Sequence, residues 1–181
     1  MSATLTDDIA LTLAAQGGDL DAFETLVREH TPAVYAHAVR FFGEPTAAED
    51  VVQEVWIKVY RSLSSFDGRS RFSTWLYRVT RNTCLDQVRQ GRRLPIPVES
   101  ADPPPAPGDF ADAVALSATL EHALSQLAQE DRDALSAISV FDLTYAEAAQ
   151  SLGVPVGTVK SRVFRARRSL SAILGMTTGG A

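Results

Sequence analysis

A single cysteine, three scattered histidines and no apolar run of membrane length exclude several kinds of chemistry at once. Cys84 has no second cysteine to pair with and cannot hold a metal by itself. It is expected to sit as a small buried apolar residue on a helix. His30, His37 and His122 are spread too widely to suggest a ligand cluster, so no metal and no cofactor are expected. A nucleophile paired with a base is missing too, so no catalytic residues and no enzyme activity are expected. No apolar stretch approaches the roughly 20 residues that cross a bilayer, and the first residues lack a signal-peptide pattern. Cytoplasmic residence without membrane insertion is the expectation. Strand-like alternation is also lacking, and almost every strong segment has helical period.

A hydrophobic content of 45% in 181 residues suffices for buried cores. The net charge of −5 looks wrong for a nucleic-acid binder, but it hides a split. Residues 156–172 carry Lys160, Arg162, Arg165, Arg167 and Arg168 with no acid. Residues 116–155 carry Glu121, Glu130, Asp131, Asp133, Asp142 and Glu147 against Arg132 alone. Positive charge is thus focused on one helix, while the acidic remainder weakens indiscriminate DNA binding. That balance suits a protein that works on DNA inside a larger complex.

The periodicity predicts an all-α chain with a break in its middle. Asp19 can cap a helix with Ala22, Phe23, Leu26 and Val27 on one face, and Pro32 suits the first turn of a second helix carrying Val34, Tyr35, Ala38 and Val39. Thr46 and Glu49 fit a capping box before an apolar stripe of Ala48, Val51, Val52, Val55, Trp56, Val59, Tyr60 and Leu63. A loop at residues 64–70 precedes a long helix reaching about Gly91. Residues 94–109 hold six of the nine prolines, which predicts an extended, flexible linker able to place two small helical domains on separate surfaces. The expected organisation is a front domain over 1–93, a Pro-rich acidic linker over 94–115, a rear domain over 116–175 and a tail over 176–181. In the rear domain, Thr144 and Glu147 form another capping box before a short helix that ends at Gly153. The last helix turns Val159, Val163, Ala166 and Leu170 inward.

Three constellations are candidates for function. The short helix, its glycine turn and the basic last helix read as a helix-turn-helix, whose outward Lys160, Ser161, Phe164, Arg165 and Arg168 suit the major groove. On the helix from Arg71, the Phe72, Trp75, Leu76 and Val79 stripe is mostly core. Arg71, Thr74, Arg78, Arg81, Asn82 and Arg89 lie on the other side, and cations interleaved with aromatics suit an unstacked single strand. The loop Ser65 to Ser70 can form a pocket for an extruded base. Asp50, Gln53, Glu54 and Lys58 make a polar ridge suited to a partner helix, although acids in a first turn also simply complement the helix dipole. Two other readings of these residues stay open: a stand-alone duplex regulator built on residues 116–174, and a protein-interaction module.

Four segments together resemble an RNA polymerase sigma factor of the group-four, extracytoplasmic-function type: Gly18-Asp-Leu-Asp-Ala-Phe23, Ala48-Glu-Asp-Val-Val-Gln-Glu54, Phe72-Ser-Thr-Trp-Leu-Tyr-Arg78 and Val156-Gly-Thr-Val-Lys-Ser-Arg162. The likeness covers residues 19–93 and 116–174, and implies sigma region 2 and region 4 domains. It implies that Asp50, Gln53, Glu54 and Lys58 dock on the beta-prime clamp helices of core RNA polymerase. Phe66, Arg69, Ser70, Arg71, Trp75, Arg78 and Asn82 are then expected at the minus-ten element of promoter DNA. Thr158, Lys160, Ser161, Phe164, Arg165 and Arg168 are expected at the minus-thirty-five element. Asp102, Asp109 and Asp112 in the linker are expected to imitate nucleic-acid charge, and an anti-sigma factor is an expected partner. No regulatory domain is expected after Leu174. One departure stands out: similar proteins carry an Arg-Glu pair and then a glycine where this chain has Ile138, Ser139 and Asp142. The resemblance therefore implies a weaker or altered grip upstream.

Overall fold

The computed structural model describes residues 2–43, 45–91, 120 and 122–175, and among them the chain forms helices and turns without a strand. The linker and tail, with Asp102, Asp109 and Asp112, lie outside the described residues. In the front half, α1 (Ser2–Gln16), α2 (Leu20–Phe42), α3 (Pro45–Ser62) and α4 (Phe72–Arg89) pack together, with one 3-10 turn at Leu63–Ser65. In the rear half, helical residues 122–125 precede α5 (Gln129–Ser139), α6 (Tyr145–Leu152) and α7 (Val156–Ile173). Among the described residues no helix is long and apolar enough to cross a membrane.

The local signals act largely as the sequence suggests. Asp19 Oδ1 accepts the backbone N–H of Asp21 (3.0 Å) and Ala22 (3.1 Å), which caps α2. Val51, Val55 and Val59 of α3 are fully buried, and so is Cys84 of α4. Three expectations need correction. Pro32 does not start a helix; it lies inside α2, which runs unbroken from Leu20 to Phe42. Its missing N–H frees only the Arg28 carbonyl on a solvent-facing side, while Leu26, Val34 and Ala38 hold the helix to the core. Thr46 is no cap, because α3 already begins at Pro45, where a fixed φ favours the first turn. Tyr60 leaves the expected apolar stripe and is 61% exposed, at its outer edge.

The first helix shows no one-sided stripe in the sequence, because its apolar residues, among them the exposed Ile9 and Leu13, are spread around it. It nonetheless braces the loop after α3, since Gln16 Nε2 donates to the carbonyls of Leu63 (2.8 Å) and Phe66 (2.7 Å).

One apolar core runs through both halves. It joins Leu26, Val51 and Tyr77 in front to Ala134, Phe141 and Val159 behind. Phe141 lies on the short connection between α5 and α6, and its ring packs on Tyr77 (5.2 Å between centroids) and His37 (6.0 Å). Tyr77 Oη donates to the Asp133 carbonyl (3.1 Å), and His37 Nδ1 meets Ser136 Oγ at 2.8 Å. A buried Phe or Tyr contributes about 1.5–3 kcal/mol, so this seam is more than incidental contact.

Burial pushes the His37 imidazole down to about 4 from 6.5, with Asp133 raising it and Arg81 and Arg40 lowering it. A histidine held below its unfolded value contributes stability that is complete above about pH 6.5 and lost as pH falls toward 4. Between pH 7 and pH 5 the stability against urea should drop by about 2 kcal/mol, and His37→Phe should remove most of that slope. An unchanged slope in the variant would assign the pH dependence elsewhere.

Candidate nucleic-acid interface

The α6–turn–α7 unit is built by two local devices. Thr144 Oγ1 accepts the Glu147 N–H (3.2 Å), while Glu147 Oε2 accepts the Thr144 N–H (2.8 Å), closing the capping box that starts α6. Gly153 ends α6 in the left-handed region with φ 68°, and its N–H bonds back to the Ala149 carbonyl. Residues 153–155 turn the chain, and α7 follows with Val159, Val163 and Ala166 buried. Lys160, Ser161, Phe164, Arg165 and Arg168 are all exposed on its outer side, and Thr158 is half-buried. Phe164 is 64% exposed, a large bare ring among cations, and Lys160 Nζ stands 5.9 Å from the Tyr145 ring. An apolar group beside basic donors matches the edge pattern of a major groove, where a thymine methyl lies next to acceptor atoms.

Arg165 is not a free cation. Its Nη2 and Nε donate to Asp131 Oδ1 (2.7 Å) and Oδ2 (3.1 Å), and these bonds raise the guanidinium further above its ordinary value. Asp131 is buried at the start of α5, so it fixes the arginine head with little freedom of its own.

In the front half the predicted residues divide. Phe66 is buried, with its ring 5.4 Å from Trp75 and 6.1 Å from Phe72, so it supports the loop from within. Trp75 is half-buried, Asn82 is exposed and Ser70 half-buried. Arg69 lies far out in solvent on a turn made by Asp67 Oδ1, which accepts the Arg69 N–H (3.1 Å), and by Gly68 at φ 70°. Arg71 and Arg78, expected to line an open strand path, meet the rear half instead. Arg71 Nε and Nη2 donate to Glu147 Oε1 (2.8 Å) and Oε2 (2.7 Å), and Nη2 also reaches the Asp142 carbonyl (2.6 Å). Thr74 Oγ1 donates to Glu147 Oε1 (2.9 Å). Arg78 donates to Ser151 Oγ (3.0 Å) and Gln150 Oε1 (3.1 Å), and Arg81 Nε to Asp133 Oδ2 (2.9 Å). The Arg71 hydrogen bonds are the main reason that the Glu147 carboxyl falls to about 2, so it stays ionised at neutral pH.

On α3, Asp50 and Gln53 are exposed, while Glu54 is bound by Gln87 Nε2 (3.0 Å) and Lys58 Nζ (3.1 Å). Lys58 also pairs with Asp86 of α4 at 3.4 Å. The ridge is therefore an ordered strip pinned to its neighbour. The sequence reading missed Glu147, Asp131 and Asp133 as arginine partners. Their only visible signal was a surplus of acid in a segment otherwise too short of base to solvate evenly.

Comparison with known proteins fits this geometry. The family model described as Sigma-70 region 2 matches residues 26–94, and the one described as Sigma-70, region 4 matches residues 117–170. Both are parts of sigma factors, the subunits that direct RNA polymerase to promoters. The chain is 36% identical over 183 residues to the ECF RNA polymerase sigma-E factor of Escherichia coli K12, covering 94% of this chain and 95% of that protein. It belongs to the extracytoplasmic-function family of sigma factors. Among solved structures it is similar to CnrH in complex with the cytosolic domain of CnrY, with a TM-score of 0.71, 28% identity, and coverage of 95% of this chain and 99% of that one. It is also similar to the sigma factor RpoE bound to the anti-sigma factor NepR from Bartonella quintana, with a TM-score of 0.68, 30% identity, and coverage of 86% and 98%.

The departure at Asp142 now has a structural meaning. Its φ is 52°, so an aspartate adopts the left-handed conformation for which a glycine is suited. Aspartate tolerates this region better than most residues, and the turn survives without glycine. Asp142→Gly should keep or raise the melting temperature, whereas Asp142→Val should cost about 1–2 kcal/mol. Equal losses for both in a thermal scan would show that the side chain, not backbone strain, matters there.

Proposed function

We propose that this chain binds core RNA polymerase through the α3 ridge, holds a separated strand of the minus-ten element against α4 and its preceding loop, and reads the minus-thirty-five element with α7. As a sigma factor it recognises these promoter elements and promotes DNA opening for initiation. The polymerase supplies the chemistry, and this subunit supplies position. The observation that carries the residue assignment is the α7 face: Lys160, Ser161, Phe164 and Arg165 stand exposed together behind a capped helix and a glycine turn. A helix so presented fits a major groove. Work with polymerase also places the protein in the cytoplasm. The Bartonella structure, a sigma factor held by an anti-sigma factor, supports a similar partner for this chain.

Mixed with core polymerase, the purified protein should start RNA at discrete positions on bacterial genomic fragments. Transcripts without a defined start would reject the proposal, and tight duplex binding without polymerase would favour a stand-alone regulator. Lys160→Ala and Arg165→Ala should each weaken promoter binding by about 1–3 kcal/mol, with the loss depending on the upstream sequence. A loss indifferent to that sequence would make them phosphate clamps. Asn82→Ala should alter minus-ten choice while polymerase binding stays intact, as read by transcription from templates varied at that element.

A further inference from the structure

The loop before α4, assigned above to the minus-ten strand, is held in place by α1. That helix ends at Gln16, ahead of the residues 26–94 that match region 2, and its last side chain bonds to positions some 50 residues further on. The Gln16 amide donates to the Leu63 carbonyl at 2.8 Å and to the Phe66 carbonyl at 2.7 Å. Leu63 also accepts the Phe66 N–H at 3.0 Å, so the amide closes on the 3-10 turn from which the loop departs. An NH2 group carries two donors and can make both bonds, whereas a carboxylate or an apolar chain of that length makes neither. We propose that Gln16 is a positioning residue for base capture: it sets the loop tip so that a base leaving the minus-ten stack meets a socket already formed. This inference rests on the assignment of that loop to the minus-ten strand.

Gln16 is itself fixed from two sides. Behind it, Leu11 and Ala15 pack against the core, and Asp8 Oδ1 meets His30 Nε2 at 3.2 Å. Ahead of it, the Gly17 N–H bonds to the Leu13 carbonyl and the Asp19 N–H to the Ala14 carbonyl, which closes the helix end. The same helix also reaches the far end of the loop. The His30 ring, paired with Asp8, lies 5.1 Å from the ring of Phe72, the first residue of α4. Thus α1 grips the loop directly where it leaves the 3-10 turn, and through His30 where it enters α4. Between these anchors the Phe66 ring is buried against Phe72 and Trp75, while Asp67, Gly68 and Arg69 stand exposed at the tip. A loop with a fixed stem and an open tip has the form of a socket. Extruding a base costs stacking and pairing, and a socket formed in advance offsets more of that cost than one ordered on contact.

The test uses holoenzyme assembled from the whole chain, on a promoter fragment where the parent starts RNA at a fixed position. Abasic sites are placed one at a time through the minus-ten non-template strand, and the rate of opening is read from a fluorescent base analogue beside them. One abasic site should slow the parent about tenfold, the scale of one lost stacking contact. In Gln16→Glu, whose carboxylate faces two carbonyls, intact DNA should open about tenfold more slowly, the scale of two lost hydrogen bonds. That one abasic site should then make no further difference, while the others slow variant and parent by equal factors. Gln16→Met, uncharged and of similar length, should behave like Gln16→Glu and replaces it if the carboxylate unfolds α1. Thr12→Ala removes a bond internal to α1, from Thr12 Oγ1 to the Asp8 carbonyl, and should keep the parent's full dependence on that base. Gln16 variants that retain this dependence, or lose it at every minus-ten position alike, overturn the proposal, because the amide then only stabilises the fold. A Gln16→Met chain too unstable to join the polymerase overturns it as well. A parent indifferent to every abasic site would instead sink the assignment of the loop to the minus-ten strand.

Discussion

The joint between Arg71 and Glu147 is the contact on which the arrangement of both halves depends. A half-buried ion pair is no automatic gain, since desolvation offsets much of the attraction. This one is favourable because almost every position on the carboxylate is filled. Oε1 receives Arg71 and Thr74, and Oε2 receives Arg71 together with the N–H and hydroxyl of Thr144. One side chain thereby caps α6, anchors the start of α4 and fixes the turn that carries Asp142.

That double use explains which parts were legible in the sequence. The capping box at Thr144, the buried faces of α3 and α7 and the glycine turn all follow from spacings within a few residues, and these were readable. Glu147 was readable as a cap and unreadable as a partner for Arg71, because the second role joins positions 76 residues apart. Long-range pairing leaves no periodic trace. Pro32 shows the opposite failure: a strong local signal for a helix start is overridden when Leu26, Val34 and Ala38 bury on one continuous face. The Phe66 ring lies against Phe72 and Trp75, a contact that spacing along the chain does not show.

The split of charge also takes on a different meaning. Acids that look from composition like a solvated surplus are individually assigned: Asp131 to Arg165, Asp133 to Arg81 and Glu147 to Arg71. Asp133 is nearly inaccessible, and a buried acid held by an arginine is costly to leave alone. While the halves stay packed, Asp133 therefore needs Arg81 beside it, and an arginine so used is not free for a phosphate.

The Asp142 turn carries this one step further. Its left-handed backbone aims the Asp142 carbonyl at Arg71, at 2.6 Å. The segment 138–142, where the chain departs from the glycine and charged pair of similar sigma factors, holds Phe141 buried in the seam and Ile138 packed against the core. Where the family pattern has charge at 138 and 139, Ile138 packs against the core, and where it has glycine at 142, Asp142 turns its carbonyl toward α4. The departure from the family pattern and part of the joint between the halves thus lie in one short segment, so restoring the charged pair at 138 and 139 should loosen that joint.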